Sequence, residues 1–237
     1  MAELHAHTSA SDGVPSPEQL VQIADRIGLD VLAVTDHDTV TGALRARAFA
    51  RDSGARVRVI VGTEVTTRRQ DHIVALFVEK PVPIFRRVAD TVRAIHGQGG
   101  LAIVAHPFLG LPSSISPKRL EDALWDGVTF DGIEVENQYM RASVRARVRA
   151  FLGNHDVGAS IGATDAHFGD LAKAVTLFPG RTDDELREAI RTRTVVAAPG
   201  GVQHPSPQLS DHARNQFRSL IKLPIMRIAL FARQWGE

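Results

Sequence analysis

Leu4-His5-Ala6-His7-Thr8, followed by Ser11-Asp12-Gly13, opens the chain with two imidazoles and a carboxylate within eight residues. Extended backbone sends alternate side chains to the same side, so His5 and His7 share one face of a first strand and can seize one cation. The pattern recurs downstream. Asp36-His37, Glu64, His72, His106, and Asp165 with His167 each sit within or just beyond an apolar run that reads as strand. Ligands gathered at the ends of several strands are what a multinuclear hydrolytic centre requires.

Beyond this stretch, apolar runs at 30–35, 58–63, 72–78, 101–105, 132–135 and 158–162 alternate with helical stretches as far as about Pro199. That alternation predicts a parallel sheet with covering helices. Ser16-Pro17-Glu18-Gln19 opens the first helix with an N-cap serine, a proline at the first helical position and a capping-box glutamine. Thr182-Asp183-Asp184-Glu185 supplies a second capping box for the last core helix. A helix over 39–53 stops at Gly54, and Ile84, Val88, Val92 and Ile95 recur at helical spacing. About seven strands, with almost every candidate ligand at a C-terminal end, predict an α/β barrel related to the (β/α)8 type, whose chemistry sits on that face. An open doubly wound sheet is the structural rival. It concentrates its site at one switch point and usually shows a glycine-rich phosphate loop, which is absent.

Composition removes several alternatives. The 237 residues suit one large domain, and 28 Lys and Arg against 27 Asp and Glu leave no global field to recruit nucleic acid or an anionic membrane. With no cysteine, any metal is held by nitrogen and oxygen. No charged stretch followed by an apolar one precedes His5, and no apolar run reaches membrane-spanning length, so a cytoplasmic location is the expectation. A solitary histidine at a strand end is more often structural than a ligand, but one face crowded with acceptors is electrostatically costly unless cations pair them. His96, His155, His204 and His212 fall in helices or loops and read as ordinary residues.

The order and spacing of these motifs resemble the PHP (polymerase and histidinol phosphatase) superfamily. The match runs through Leu4-His5-Ala6-His7-Thr8 with Ser11-Asp12-Gly13, Val34-Thr35-Asp36-His37-Asp38, Gly62-Thr63-Glu64-Val65 with His72, Ala105-His106-Pro107, and Gly162-Ala163-Thr164-Asp165-Ala166-His167. It covers roughly residues 1 to 200. The resemblance implies a distorted seven-stranded TIM-like barrel, (β/α)7, that holds two to three divalent ions (Zn, Mn or Fe). By position, His5, His7, Glu64 and Asp165 would hold one metal. Glu64 would bridge to a second completed by His72 and His106, and Asp12, His37 and His167 would hold the third. Asp12 stands where some relatives carry histidine, which hardens that site and favours manganese or iron over zinc there.

The implied activity is metal-dependent hydrolysis of phosphate esters by a metal-bound hydroxide at a trinuclear centre, with Glu64, Asp165 and His37 central. Asp36 and Thr35 are candidates to orient ligating imidazoles, with a loop cap as the plain alternative for Asp36. Amidohydrolases also begin with His-x-His on a first strand, but generally want a bridging lysine where this chain offers Glu64. A metal-binding regulatory protein without turnover is the other class, against which the complete ligand set argues.

For substrate phosphate beyond the metals, Arg68 and Arg69 are the best-placed cations, Lys118 and Arg141 are weaker candidates, and Asn137 follows a strand end. Only 33 residues separate His72 from His106, too few for an inserted helical lid, so the site is expected to be open. The leading substrate is a small phosphomonoester. A nucleotide or oligonucleotide end, with nucleic acid as substrate only, is second, because one Tyr and two Trp give little for base stacking. Residues 201–237 read as a linker and a basic amphipathic tail, split by Pro224 into two short helical pieces ending near Trp235. The tail is expected to pack on its own barrel or on a second subunit, in preference to a membrane surface. The oligomeric state stays open.

Overall fold

Val, Ile, Leu and Ala dominate every predicted strand, and such residues pack well on a pleated surface buried on both faces. The computed structural model describes residues 1–234; Trp235 lies outside them. In chain order the elements are β1 (Ala2–Glu3), α1 (Pro17–Arg26), β2 (Val31–Val34), α2 (Thr41–Ser53), β3 (Arg58–Thr66), β4 (His72–Leu76), α3 (Val88–Gly97), β5 (Leu101–Val104), α4 (Pro117–Trp125), β6 (Gly132–Glu136), α5 (Ala142–Leu152), β7 (Ala159–Gly162), β8 (Ala174–Leu177), α6 (Asp183–Arg191), β9 (Val196–Pro199), α7 (Leu209–Phe217), and, beyond a π-helical turn at Arg218–Lys222, α8 (Leu223–Gln234). Both predicted capping boxes form, Ser16 with Gln19 and Thr182 with Glu185. Gly54 ends α2 in the left-handed conformation at φ 70°.

Among the described residues nine strands make one sheet, ordered β7-β6-β5-β4-β3-β2-β1-β8-β9. The sheet curls into a nearly closed barrel. Below, β7 meets β8 through a side chain: Thr176 Oγ1 accepts from Gly162 N at 3.1 Å and donates to Gly162 O at 2.8 Å. Above, Ala6 bridges Ala166 in parallel, and His7 N donates to Ala166 O at 2.9 Å. Alternation along the strands sorts the core. Val31, Ala33, Ile60, Leu101, Ile103 and Ile161 fill the barrel, where Leu186, Ala189 and Ile190 of α6 pack against them, while Leu32, Val34, Val59 and Val61 face the covering helices.

Three features depart from the sequence reading. First, the two additional strands, β8 and β9, pair antiparallel with β1 and with each other and complete the wall beyond the predicted seven. Second, β4 runs antiparallel to both β3 and β5. A parallel return needs a crossover of about a dozen residues or more, and only 67–71 lie between β3 and β4. Third, Pro224 does not split the tail. Phe217, Arg218 and Leu223 keep helical dihedrals, and the wide turn at Arg218–Lys222 includes Leu220, four residues before the proline, whose carbonyl the ring would otherwise crowd.

Candidate metal centre

Six imidazoles and three carboxylates converge at one end of the barrel. His5 and His7 follow β1 with alternate side chains turned inward, and their ring centroids lie 5.1 Å apart. His37 follows β2, Glu64 lies on β3, His106 follows β5, and Asp165 and His167 follow β7. His72 is the first residue of β4, and because that strand runs backwards its start reaches the face where its neighbours end. His106 and Asp165 have positive φ, 24° and 61°, strained for residues with a side chain.

Glu64 is the hub. Its Oε1 lies 2.8 Å from His72 Nδ1 and 2.9 Å from His106 Nε2. Its Oε2 lies 3.1 Å from His37 Nδ1, 3.2 Å from His5 Nε2 and 3.3 Å from His7 Nε2. Asp165 Oδ1 is 3.1 Å from His7 Nε2 and 3.5 Å from both His5 Nε2 and His167 Nδ1. Asp12 is 3.5 Å from His167 Nε2 and 3.6 Å from His37 Nε2. Burial is nearly complete for all but His167.

Burial lowers an imidazole pKa, yet the charges of Glu64, Asp165 and Glu134 carry His5 well above its ordinary range. Burial pulls His7 down as well, but hydrogen bonds to Asp165 and Glu64, with Asp12 nearby, bring it to about 10. His37 goes the other way, to about 3, because burial and repulsion from His7 and His72 outweigh Glu64 and Asp12. Burial works to raise Glu64 and Asp165, but the surrounding imidazoles hold both carboxyls below the usual range.

The donor set fits divalent cations. His5 Nε2, His7 Nδ1, His37 Nδ1, His106 Nδ1 and Glu64 Oε2 are buried without an aligned hydrogen bond among the described residues, an arrangement that costs free energy unless something positive meets them. Three groups bring ligand atoms within 4.8 Å of one another: His5, His7, Glu64 and Asp165; His37, Glu64 and His72; and His7, Asp12, His37 and His167. The first coincides with the set the resemblance implies. In the second His37 takes the place of His106, and in the third His7 joins the expected trio. Nitrogen and oxygen ligands of this mix suit zinc, manganese or iron.

The sequence pattern of the PHP domain matches residues 3–192. The chain belongs to the PHP family. Among its relatives, an uncharacterized protein of Methanocaldococcus jannaschii is 33% identical over 156 residues, covering 60% of this chain and 85% of that protein. A 5'-3' exoribonuclease of Haemophilus influenzae is 36% identical over 104 residues, covering 43% of this chain but only 37% of the exoribonuclease. A crystal structure from Bifidobacterium adolescentis, assigned to the metal-dependent phosphoesterases, shares the fold with a TM-score of 0.62 at 20% identity, covering 81% of this chain and 96% of that one.

Within this PHP barrel the supporting carboxylate is one the sequence reading missed. Glu134 Oε1 lies 2.8 Å from His5 Nδ1, and its Oε2 accepts from His106 N and Asn137 Nδ2, each at 2.8 Å. A carboxylate behind a ligating imidazole fixes the ring and leaves the opposite nitrogen free for a cation. The available signal is a carboxylate inside an apolar strand: Glu134 alternates with Ile133 and Val135, which pack toward the covering helices, and so faces the barrel interior. Asp36 does not orient an imidazole. It accepts from Thr8 N at 2.8 Å, Thr8 Oγ1 at 2.7 Å, Ser11 N at 3.2 Å and Ser11 Oγ at 2.6 Å, and so holds the loop that carries Asp12. That packing leaves no room beside it: a Cβ on Gly42 would lie 2.0 Å from Asp36 Oδ2.

The predicted substrate residues divide. Arg68 and Arg69 stand exposed on the turn between β3 and β4 and line a cavity of about 630 Å³. Asn137 is wholly buried behind Glu134 and cannot face a substrate. Lys118 pairs with Asp122 at 2.6 Å, one turn along α4, and Arg141 is the N-cap residue of α5; neither lines that cavity.

The mouth is less open than the short 72–106 interval predicts, because the C-terminal segment lies along one arc of it. Asn215 donates to Asp12 O at 3.0 Å and Ser219 Oγ to Asp12 Oδ2 at 2.8 Å. Lys222 donates to the carbonyls of Ser9 and Ala10 at 2.6 and 2.9 Å. Arg227 bonds Asp38 Oδ2 at 2.7 Å and Thr66 Oγ1 at 2.6 Å. The polar side of the segment thus grips the barrel, while Phe217, Leu220, Ile225 and Ile228 point to solvent.

Proposed function

We propose that this protein is a metal-dependent phosphoesterase whose centre is built on His5, His7, Asp12, His37, Glu64, His72, His106, Asp165 and His167. The observation that carries the reading is Glu64, a buried carboxylate ringed by five imidazoles with one oxygen and several ring nitrogens unsatisfied. Divalent ions bound there supply a nucleophile at neutral pH and cancel charge on phosphoryl oxygens. The chain's own residues orient that chemistry. Glu64 and Asp165 tie the ligand groups together, Glu134 fixes His5, and Asp36 holds the Asp12 loop. The position shared by two of the ligand groups is Glu64, where an amidohydrolase centre would generally place a bridging lysine, which supports phosphoester over amide hydrolysis.

A small phosphomonoester, whose one charged end fits a mouth narrowed by the C-terminal segment, is the first substrate reading. A phosphodiester at the end of an oligonucleotide is the second, favoured by the arginine-lined cavity beside the β3–β4 turn. Protein purified without chelator and reconstituted with Mn²⁺, Fe²⁺ or Zn²⁺ should hydrolyse p-nitrophenyl phosphate or bis-p-nitrophenyl phosphate, and His37→Ala or Asp165→Ala should abolish it. Unchanged turnover in those variants at full metal loading would refute the mechanism.

A further inference from the structure

The cavity of about 630 Å³ is bounded by the β3–β4 turn, the segment leading into α3, and α4. The turn joins the strand of Glu64 directly to His72, so the cavity adjoins the metal face. Arg68 N donates to Arg86 O at 2.7 Å and docks the second segment on the turn. Arg119 reaches over from α4 to within 2.9 Å of Asp71, and donates to Ser114 O at 3.1 Å. These bonds build a wall and not a loose surface.

Its charge is unbalanced. Five arginines line it against three aspartates, and each aspartate is already engaged: Asp71 by Arg119, Asp126 by Arg87 at 2.6 Å, and Asp122 by Lys118 at 2.6 Å. Arg68 and Arg69 have no ion pair among the described residues and stand exposed within the concavity. Guanidinium groups held this way match phosphate oxygens in geometry and charge. At the rim, Trp125, the last residue of α4, is 87% exposed. An indole left in water on the edge of a cationic cavity offers a flat face on which a nucleobase can stack.

We infer that this cavity is a second binding site, one that takes the neighbouring phosphate on Arg68 and Arg69 and the adjoining base on Trp125 when a single-stranded oligonucleotide presents its terminal ester to the metal centre. The inference rests on the phosphoesterase reading and selects its oligonucleotide branch. Lone phosphomonoesters reach the metals without using it. Chains of two or more nucleotides gain from it.

The test uses the full chain, Mn²⁺-loaded, with p-nitrophenyl phosphate and a 5'-phosphorylated tetraribonucleotide as probes. In Arg68→Ala/Arg69→Ala the ratio of kcat/KM for the tetranucleotide to that for p-nitrophenyl phosphate should fall at least about tenfold, chiefly through KM. The log–log salt dependence of the tetranucleotide reaction should flatten by roughly 0.7 unit, the contribution of one neutralised phosphate on a single strand. Trp125→Ala should lower the same ratio without changing the salt slope. Independently of turnover, Trp235→Phe leaves Trp125 as the single indole, and its fluorescence should be quenched by the tetranucleotide but not by inorganic phosphate. An unchanged ratio with unchanged fluorescence would overturn the site, and equal quenching by inorganic phosphate would overturn its selectivity for a chain. If neither probe is hydrolysed by the parent protein, the phosphoesterase reading fails, while the fluorescence titration still decides the cavity.

Discussion

Glu3 and Glu64 are both buried in the wall of one barrel, and the protein meets them in opposite ways. Glu3 accepts from Thr164 N at 2.8 Å, Ala172 N at 3.0 Å, His5 N at 3.2 Å and the Thr164 hydroxyl, a complete shell of uncharged donors. Burial still raises its pKa to about 7 against those bonds. Glu64 faces imidazole nitrogens from five separate chain positions and keeps Oε2 without an aligned partner. A carboxylate satisfied by hydroxyl and amide donors belongs to the fold. One left to several imidazoles with unmet nitrogens around it belongs to a cation.

Glu64→Gln keeps the volume but removes the charge shared by two of the three ligand groups, and should lower metal-dependent turnover by about a thousandfold or more. Metal content after gel filtration should fall with it, while the metal-free fold persists by circular dichroism. Full metal retention would show that Glu64 is a structural acid like Glu3.

Glu3→Ala should do the reverse. It leaves three buried backbone N–H groups without an acceptor and should cost about 3 kcal/mol of stability. That corresponds to a melting temperature lower by roughly 10 °C for a domain of this size. Metal content of the folded fraction should match the parent. A stable variant that lost metal instead would place Glu3 in the centre.

Sequence legibility follows the same division. Ligand positions on strand ends can be read because a strand's alternation is strict and the apolar runs before His37, Glu64, His106 and Asp165 are long enough to place. Caps are legible because Ser16 with Gln19 and Thr182 with Glu185 are local pairs. The direction of β4 is present in the five residues 67–71 but masked by an expectation of parallel strands. Strand cues are weak for the last two elements: Ala174–Leu177 is buried at three of its four positions but carries no ligand motif to mark it, and β9 is partly exposed. Asp36 misleads because its motif neighbour His37 does join the cluster, whereas its own oxygens turn back to Thr8 and Ser11. Non-local contacts decide that, and adjacency in sequence carries no information about them.

Glu134 lies between the two, since it accepts backbone and amide donors as Glu3 does and also backs an imidazole of the Glu64 cluster. Glu134→Gln should lower metal affinity about ten- to a hundredfold with little change in stability. Competition against a chelator of known affinity measures it. An effect on melting alone would assign Glu134 wholly to the fold.

The smallest effect tests whether the C-terminal segment only covers the mouth or also sets a ligand. Ser219 Oγ donates to Asp12 Oδ2, the oxygen facing His37, at 2.8 Å. Holding that carboxylate in one orientation before a cation arrives reduces what binding must order. Losing one hydrogen bond to a charged acceptor costs about 1.5 kcal/mol, so Ser219→Ala should weaken the weakest-bound metal about tenfold and leave the tighter ions in place. Ser219→Thr, which retains the hydroxyl, should restore most of the affinity. The neighbouring anchors Lys222 and Arg227 touch carbonyls and Asp38 and no candidate ligand, so replacing either with alanine should loosen the segment without the same selective loss. If Lys222→Ala and Ser219→Ala weaken every metal equally, the segment acts as a cover. A loss confined to Ser219→Ala makes it part of the Asp12 site.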